Sequence, residues 1–219
     1  MKYKCLVLDH DDTIVDSTAT VHFPCFVEYL ERYYPSLAGN YTLESYLIKN
    51  FHPGITELLV EEVGMGEAEL AHEVNYWAEY CKNHIPRAFS GIGELISDFK
   101  AQGGVVIVDS HSLSEYITRD FRENGLPMPD YIYGWDIPKE QRKPSPYTLF
   151  DIMRRYGFSA DEMLVVDDLK PGYDMARGAG VRFAAAGWAY YVAEIRDFMK
   201  ENCDFYLDTL DDLRHLLFD

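Results

Sequence analysis

The feature that most constrains the fold of this chain lies in its first 13 residues. A mostly apolar run, Lys4 to Leu8, ends abruptly in three carboxylates within four residues, at Asp9, Asp11 and Asp12. Short apolar runs of this kind are typical of strands buried on both faces, and open α/β sheets bind ligands at the carboxyl ends of such strands. Since like charges this close repel one another, the sequence predicts a cation or a shared proton at this strand end.

Five further apolar runs predict buried strands, and helices alternate with them from about residue 91 onward. The predicted strands cover residues 105–108, 131–133, 163–166, 182–185 and 205–207. Ser112 with Glu115 predicts a capping box for one helix, and Ser145 before Pro146 predicts the start of another. The alternation predicts an α/β fold, a doubly wound, Rossmann-like parallel sheet with right-handed crossovers.

Residues 17–88 follow a different pattern, in which apolar residues recur at helical spacing and no strand is predicted. Four helical segments are predicted, at 21–34, 43–49, 55–63 and 67–84, with turn residues between them. We therefore predict an all-helical cap domain over residues 17–88, inserted between the first and second strands of the sheet. Residues 1–16 and 89–219 are expected to form the α/β core domain.

Charge and cysteine usage exclude several classes of partner. The formal net charge of −17 argues against nucleic acid and anionic membranes, because both need a basic surface. The four cysteines are far apart and lack zinc-site spacing, so we expect free thiols and a cytoplasmic location. No window approaches about 18 apolar residues, and Asp9 cuts short the N-terminal run, so neither a membrane helix nor a signal peptide is expected.

Four strand ends are expected to bring carboxylates, a hydroxyl and an amine to one edge of the sheet. In chain order, the residues there are Asp9 and Asp11, Ser110 to Ser112, Lys143 in the loop after the third strand, and Asp167 with Asp168. Oxygen ligands of this kind suit Mg²⁺, and a carboxylate can act as a nucleophile toward phosphorus. An amine can neutralise phosphate charge. The pattern therefore indicates phosphoryl transfer through a carboxylate.

These motifs together resemble those of the haloacid dehalogenase-like superfamily, in the branch (subfamily I) that carries a helical cap after the first motif. They occur in the family's order and span nearly the whole chain. The matching residues are Leu6 to Thr13 with Asp16 and Ser17, Val108 to Ser112, Lys143 to Pro146, and Val165 to Asp168 with Gly172 and Gly180. The resemblance implies a Mg²⁺-dependent phosphoric monoester hydrolase whose substrate is a small phosphorylated metabolite.

The resemblance also implies a role for each matching residue. Asp9 would be the nucleophile, forming an aspartyl-phosphate, and a Mg²⁺ ligand. Asp11 would be the general acid and base, and a metal ligand through its backbone carbonyl; family members that cleave other bonds lack an aspartate there. The remaining roles are phosphate binding by Ser110, Lys143 and the backbone at His111, and metal binding by Asp168 with help from Asp167.

The sequence leaves several alternatives open. A phosphomutase, which returns the phosphate to a sugar, shares these motifs, and a non-catalytic regulatory protein could use the same scaffold. His52 falls where the family places a substrate-specificity loop, although packing of the turn is the more common role for such a histidine. Asp12 stands where the family usually has glycine; aspartate tolerates left-handed backbone better than most residues, so we expect the turn to be retained.

Overall fold

The computed structural model describes residues 2–219. The chain divides into two compact units: Ser17–Pro86 forms one, and the residues before it combine with Arg87–Asp219 to form the other. Among the described residues, no helix is both long enough and apolar enough to span a membrane.

The unit Ser17–Pro86 is entirely helical. Its helices are α1 Phe23–Tyr33, α2 Leu43–Phe51, α3 Ile55–Glu57 and α4 Glu67–Asn83, and the π-helical segments Thr18–His22 and Leu58–Glu62 precede α1 and follow α3. Thr42 caps α2, since its side chain accepts a hydrogen bond from the Ser45 amide. The helices bury an apolar cluster of their own, which includes Phe26, Leu30, Leu58 and Met65.

The larger unit is built on a six-stranded sheet in which all neighbouring strands are parallel. Its strands are β1 Cys5–Leu8, β4 Val105–Asp109, β5 Tyr131–Tyr133, β6 Met163–Asp167, β7 Arg182–Ala186 and β8 Phe205–Leu207; β2 Val15–Asp16 and β3 Arg87–Ala88 form a separate antiparallel pair. The order in the sheet is β5-β4-β1-β6-β7-β8. The winding reverses at β1, so the predicted doubly wound fold is confirmed.

Six helices complete this unit. They are α5 Ile92–Ala101, α6 Ser114–Glu123, α7 Tyr147–Tyr156, α8 Lys170–Ala179, α9 Ala193–Asn202 and α10 Leu210–Phe218. On one sheet face, alternate residues such as Leu6, Leu8 and Val106 pack with Phe99 of α5 and Phe121 of α6. The central strands β1 and β6 are buried along their whole length, which explains their nearly unbroken apolar sequences.

Three local predictions are wrong. Residues 87 and 88, predicted to belong to the strand-free cap domain, pair with β2 as strand β3 and belong to the larger unit. Ser145 does not cap α7; its amide bonds to the Arg142 carbonyl in a turn, and the helix begins at Tyr147. Ser112 forms no capping box either, because α6 begins at Ser114 and the Ser112 hydroxyl has another partner.

Candidate active site

The register of the two central strands places Asp9 beside Asp167. In the β1–β6 pair, Leu8 is opposite Val166, and the Asp9 amide donates to the Val166 carbonyl at 2.9 Å. Asp9 therefore follows β1 at the level where Asp167 ends β6 and Asp168 begins the next loop. This is the carboxyl edge at the point where the sheet reverses its winding, which is where open α/β sheets bind ligands.

Three carboxylates and one amine form the centre of this edge. Asp9, Asp167 and Asp168 are buried, and each offers an oxygen within 4.8 Å of the others. The Lys143 ammonium group bridges two of them, at 2.6 Å from Asp9 Oδ1 and 2.7 Å from Asp167 Oδ2. Three negative charges thus face one positive charge in a buried place.

The electrostatics of the group reflect that imbalance. Burial raises the pKa of Asp9 well above its usual range; Lys143 opposes that rise, while Asp167 and Asp11 add to it. Burial alone would lower the pKa of Lys143, but the carboxylates of Asp167 and Asp9 raise it well above its ordinary value. Lys143 is therefore charged at neutral pH, and the surplus of negative charge favours a further cation.

Asp168 is the least compensated member of the group. Its Oδ2 accepts a hydrogen bond from the Tyr190 hydroxyl at 2.9 Å, whereas its Oδ1 is buried and has no hydrogen-bond partner among residues 2–219. Burial is the main cause that raises the pKa of Asp168 well above normal, and the charges of Asp12 and Asp167 raise it further. A buried carboxylate oxygen without a donor, next to two other carboxylates, fits the oxygen donor set of a divalent ion such as Mg²⁺.

The Asp11 carboxylate does not belong to that group of three. Its Oδ2 accepts from the Ser112 hydroxyl at 2.6 Å and, more weakly, from the Ser110 hydroxyl at 3.4 Å. The Ser110 oxygen in turn accepts from the Ser112 amide at 3.2 Å. Ser110 thus lies beside Asp11. The Ser112 hydroxyl orients the Asp11 carboxylate and does not cap a helix.

The His111 side chain contacts Lys143 rather than an open surface. Its Nε2 is 3.0 Å from the Lys143 carbonyl oxygen, and its ring packs edge-on against Trp135. Burial, followed by the charge of Lys143, lowers the pKa of His111 to about 4. The ring is therefore neutral at pH 7 and supports the backbone that carries Lys143.

A second layer holds the carboxylates from behind. The Asp167 Oδ1 accepts from the Leu169 amide at 2.8 Å, and a Cβ atom at position 172 would lie 2.1 Å from Asp167 Oδ2, so only Gly172 leaves room for this side chain. Asp109, at the end of β4, accepts from the Thr148 hydroxyl, and burial raises the pKa of Asp109 to about 6.

The turn after β1 has the left-handed conformation expected there. Asp12 has φ +54° and is the one residue other than glycine, among those described, with a positive φ. Its amide donates to the Val15 carbonyl at 2.8 Å, which closes the turn. Aspartate therefore adopts the conformation that a glycine would adopt more easily.

His52 belongs to the other compact unit, at the end of α2, where it is exposed. In the same unit, His22 lies in the π-helical segment, and its Nδ1 accepts from the Trp77 indole at 3.0 Å. The contact of His22 with Trp77 lies within the helical unit.

Two contacts of the candidate site are not predicted from the sequence, those of Ser112 with Asp11 and of Tyr190 with Asp168. Ser112 is expected at this edge of the sheet, but its side chain is predicted to cap a helix, because a serine three residues before a glutamate fits a capping box. Tyr190 was not singled out at all, although it lies in the loop after β7. Since the carboxyl end of β7 faces the same edge as β1 and β6, extending the comparison of strand ends to β7 would have drawn attention to Tyr190.

Comparison with known proteins identifies the fold and the family of the chain. No curated protein sequence matches the chain. A protein from Bacteroides fragilis, provisionally named a haloacid dehalogenase-like hydrolase, has a similar structure, with 23% identity, TM-score 0.80 and coverage of 97% of this chain and 100% of that one. A provisionally named phosphoglycolate phosphatase from Lactobacillus delbrueckii subsp. bulgaricus is also similar in structure. Its sequence identity is 20%, its TM-score is 0.76, and 99% of each chain is covered.

A third similar structure is CbbY from Rhodobacter sphaeroides in complex with phosphate, with 19% identity, TM-score 0.68 and 96% of both chains covered. At these identities the three structures establish the fold. The model of the family described as haloacid dehalogenase-like hydrolases matches residues 6–186, which include every predicted site residue. The chain therefore belongs to the haloacid dehalogenase-like hydrolase family.

Proposed function

We propose that this protein is a Mg²⁺-dependent phosphatase that hydrolyses a small phosphorylated metabolite through an aspartyl-phosphate on Asp9. The observation that carries the proposal is the bridge from Lys143 to Asp9 and Asp167 inside a buried group of three carboxylates. A single amine leaves that group negative, so it is suited to bind a divalent cation together with a phosphoester.

Asp9, Asp168 and Asp167 would hold the ion through their carboxylates, and Asp11 through its backbone carbonyl. When bound, Mg²⁺ would neutralise carboxylate charge and draw electron density from the phosphoryl oxygens. The ammonium group of Lys143 would bind the phosphoryl group and hold Asp9 Oδ1 in place, since it is 2.6 Å from that oxygen. Ser110 would donate its hydroxyl to another phosphoryl oxygen.

The reaction would proceed in two balanced steps. In the first, a carboxylate oxygen of Asp9 attacks phosphorus, the bond from phosphorus to the ester oxygen breaks, and Asp11 gives its proton to the departing alcohol. In the second, Asp11 takes a proton from water, the water oxygen attacks the same phosphorus, and the bond from phosphorus to the Asp9 oxygen breaks, which releases inorganic phosphate. Asp9 is then free and Asp11 is protonated again. Ser112 orients Asp11 in both steps through its 2.6 Å hydrogen bond.

Two further observations support the proposal. CbbY, which is similar in structure, was solved with phosphate bound, and another similar structure is provisionally named a phosphoglycolate phosphatase. The four cysteines are free thiols, which supports a reducing, cytoplasmic location.

Hydrolysis of p-nitrophenyl phosphate by the purified chain tests the proposal. We expect release of p-nitrophenol and phosphate in MgCl2, and loss of that release in EDTA with recovery when Mg²⁺ is restored in excess. Equal rates in both conditions would rule out the metal dependence. A following screen of phosphorylated metabolites would identify the substrate class. An isomerised sugar phosphate without stoichiometric phosphate release would instead indicate a phosphomutase.

A further inference from the structure

Tyr190 joins the loop after β7 to the candidate metal site. This loop, residues 187–192, connects β7 to α9 and is fixed at two points. The Trp188 indole donates to the Thr13 carbonyl at 3.2 Å, and the Tyr190 hydroxyl donates to Asp168 Oδ2 at 2.9 Å. The loop is thus attached both to the turn after β1 and to the carboxylate after β6, which limits how far the phenol can move.

The two oxygens of Asp168 consequently have different surroundings. Oδ2 is engaged by the phenol, while Oδ1 is buried and has no partner in the described part of the chain. A phenol is a neutral donor, so it orients the carboxylate without neutralising its charge. Oδ1 is therefore the oxygen with both lone pairs open, while Oδ2 has one of its two lone pairs engaged by the phenol.

A carboxylate with one fully open oxygen distinguishes between divalent ions. Mg²⁺ requires six ligands in a compact octahedron and is usually bound by single carboxylate oxygens, whereas Ca²⁺ takes six to eight ligands and readily uses both oxygens of one carboxylate. Hydrogen-bond partners of metal ligands are known to orient them and to change metal affinity. A donor that occupies Oδ2 should therefore disfavour the bidentate mode that suits Ca²⁺.

We propose that Tyr190 is a positioning residue that makes Asp168 a one-oxygen ligand and so favours Mg²⁺ over Ca²⁺ at this site. This inference rests on the proposed function, since it assumes a divalent ion between Asp9, Asp167 and Asp168. It assigns to this chain a determinant of cation selectivity outside the four motifs.

Isothermal titration calorimetry of the full-length protein with MgCl2 and with CaCl2 tests it directly, without a turnover assay. In Tyr190→Phe we expect the Kd for Mg²⁺ to rise about tenfold, while the Kd for Ca²⁺ stays the same or falls. Tyr191→Phe is the matched control, because it removes the hydroxyl of the neighbouring tyrosine. Tyr191 is 70% exposed, and its hydroxyl accepts a hydrogen bond from Arg196. This control should leave both constants unchanged. As a second readout, Ca²⁺ should inhibit Mg²⁺-dependent hydrolysis more strongly in Tyr190→Phe.

Two outcomes would overturn the inference alone. Unchanged constants in Tyr190→Phe would show that the hydrogen bond does not affect the ion, and an equal loss for both ions would show only a structural role. Asp168→Asn separates these outcomes from a failure of the proposed function. We expect it to abolish Mg²⁺ binding; if it binds as tightly as the wild type, or if the wild type binds no Mg²⁺, the metal site itself is wrong.

Discussion

Two buried aspartates of the larger unit each accept a hydrogen bond from a tyrosine, yet their surroundings differ completely. Asp151, on α7, accepts from Tyr133 at 2.6 Å and also from the guanidinium groups of Arg154 and Arg155. Asp168 accepts from Tyr190, but its other oxygen has no partner among residues 2–219.

The pKa values of the two carboxyls shift in opposite directions. The Tyr133 hydrogen bond is the main cause that lowers the pKa of Asp151, and the two arginines act in the same direction despite burial. Burial is the main cause that raises the pKa of Asp168, and nearby carboxylates add to it. A fully paired carboxylate stabilises the fold, whereas an under-compensated one costs stability and is kept where a ligand completes it.

The largest effect is expected from Asp9→Asn, within the under-compensated group. An amide is a much poorer nucleophile than a carboxylate, so the rate of p-nitrophenyl phosphate hydrolysis should fall by about 1,000-fold or more. Because the change also removes a charge from a surplus of negative charge, the midpoint of thermal unfolding in EDTA should not fall.

Asp208→Asn, at a side chain that is 69% exposed, is the matched control and should leave both quantities unchanged. Acid-quenched wild-type protein should carry a phosphoryl group on Asp9 in peptide mass spectrometry. Turnover by Asp9→Asn at a rate close to that of the wild type would contradict the covalent mechanism. It would also contradict the idea that the under-compensated carboxylates serve catalysis.

Asp151→Asn should give the reverse result. The variant loses the hydrogen bonds that its charged oxygens accept, so the free energy of unfolding should fall by about 2 kcal/mol. Hydrolysis should stay within about twofold of the wild type, since Asp151 makes no contact with the group of three carboxylates. Urea unfolding with steady-state kinetics on the same preparation checks both. Lost activity with unchanged stability would show that a full set of hydrogen-bond donors does not distinguish a structural aspartate such as Asp151 from a functional one such as Asp168.

The sequence could predict most of the site because strand ends leave few choices. Once β1 and β6 are placed side by side, the parallel register brings Asp9 next to Asp167, and the order of strands brings Ser110 to the same edge. Lys143 lies in a long loop after β5, so the strand-end argument could bring it only to the same edge, and its phosphate-binding role came from the resemblance of its motif to the family's. The contacts of Lys143 with two carboxylates agree with that assignment.

What could not be predicted depends on side-chain partners rather than on periodicity. Ser112 fits a capping pattern, but its hydroxyl donates to a carboxylate 101 positions away in sequence. Tyr190 follows β7, a strand end that carries no acidic residue, so a comparison limited to strand ends with acidic residues does not include it. The pair β2–β3 is only two residues long in each strand, too short to produce an alternation that can be recognised.

Glu73 on α4, in the other compact unit, is a half-buried carboxyl whose pKa is shifted by desolvation without a charged partner. Burial raises its pKa from 4.5 to about 7. Since the folded state binds this proton more tightly than the unfolded state does, its contribution to stability is full below pH 4.5 and is lost as the pH rises toward 7.

We expect Glu73→Gln, a neutral isostere, to remove that loss and to raise the free energy of unfolding at pH 8 by about 2 kcal/mol relative to the wild type. Near pH 4.5 the difference should disappear. Urea unfolding across this pH range checks it, with Glu79→Gln on the same helix as the exposed control. A stability difference that does not change with pH would show that partial burial does not raise the pKa of Glu73.

The smallest effect is expected from Ser112→Ala, which tests whether the orientation of the Asp11 carboxylate matters for catalysis. The variant removes the 2.6 Å hydrogen bond to Asp11 Oδ2 but no charge, and one hydrogen bond to a charged group is enough to lower kcat by about tenfold. The KM should change little, because Ser112 is placed against the acid and base rather than against the phosphoryl group.

The leaving group separates this role from a general loss of structure. A p-nitrophenolate departs without much help from an acid, whereas an alkoxide needs its proton from Asp11. Ser112→Ala should therefore slow the hydrolysis of an alkyl phosphate more than that of p-nitrophenyl phosphate, and Ser97→Ala, at an exposed position on α5, should slow neither. If both substrates slow equally, the Ser112 hydroxyl supports the loop after β4 rather than proton transfer by Asp11.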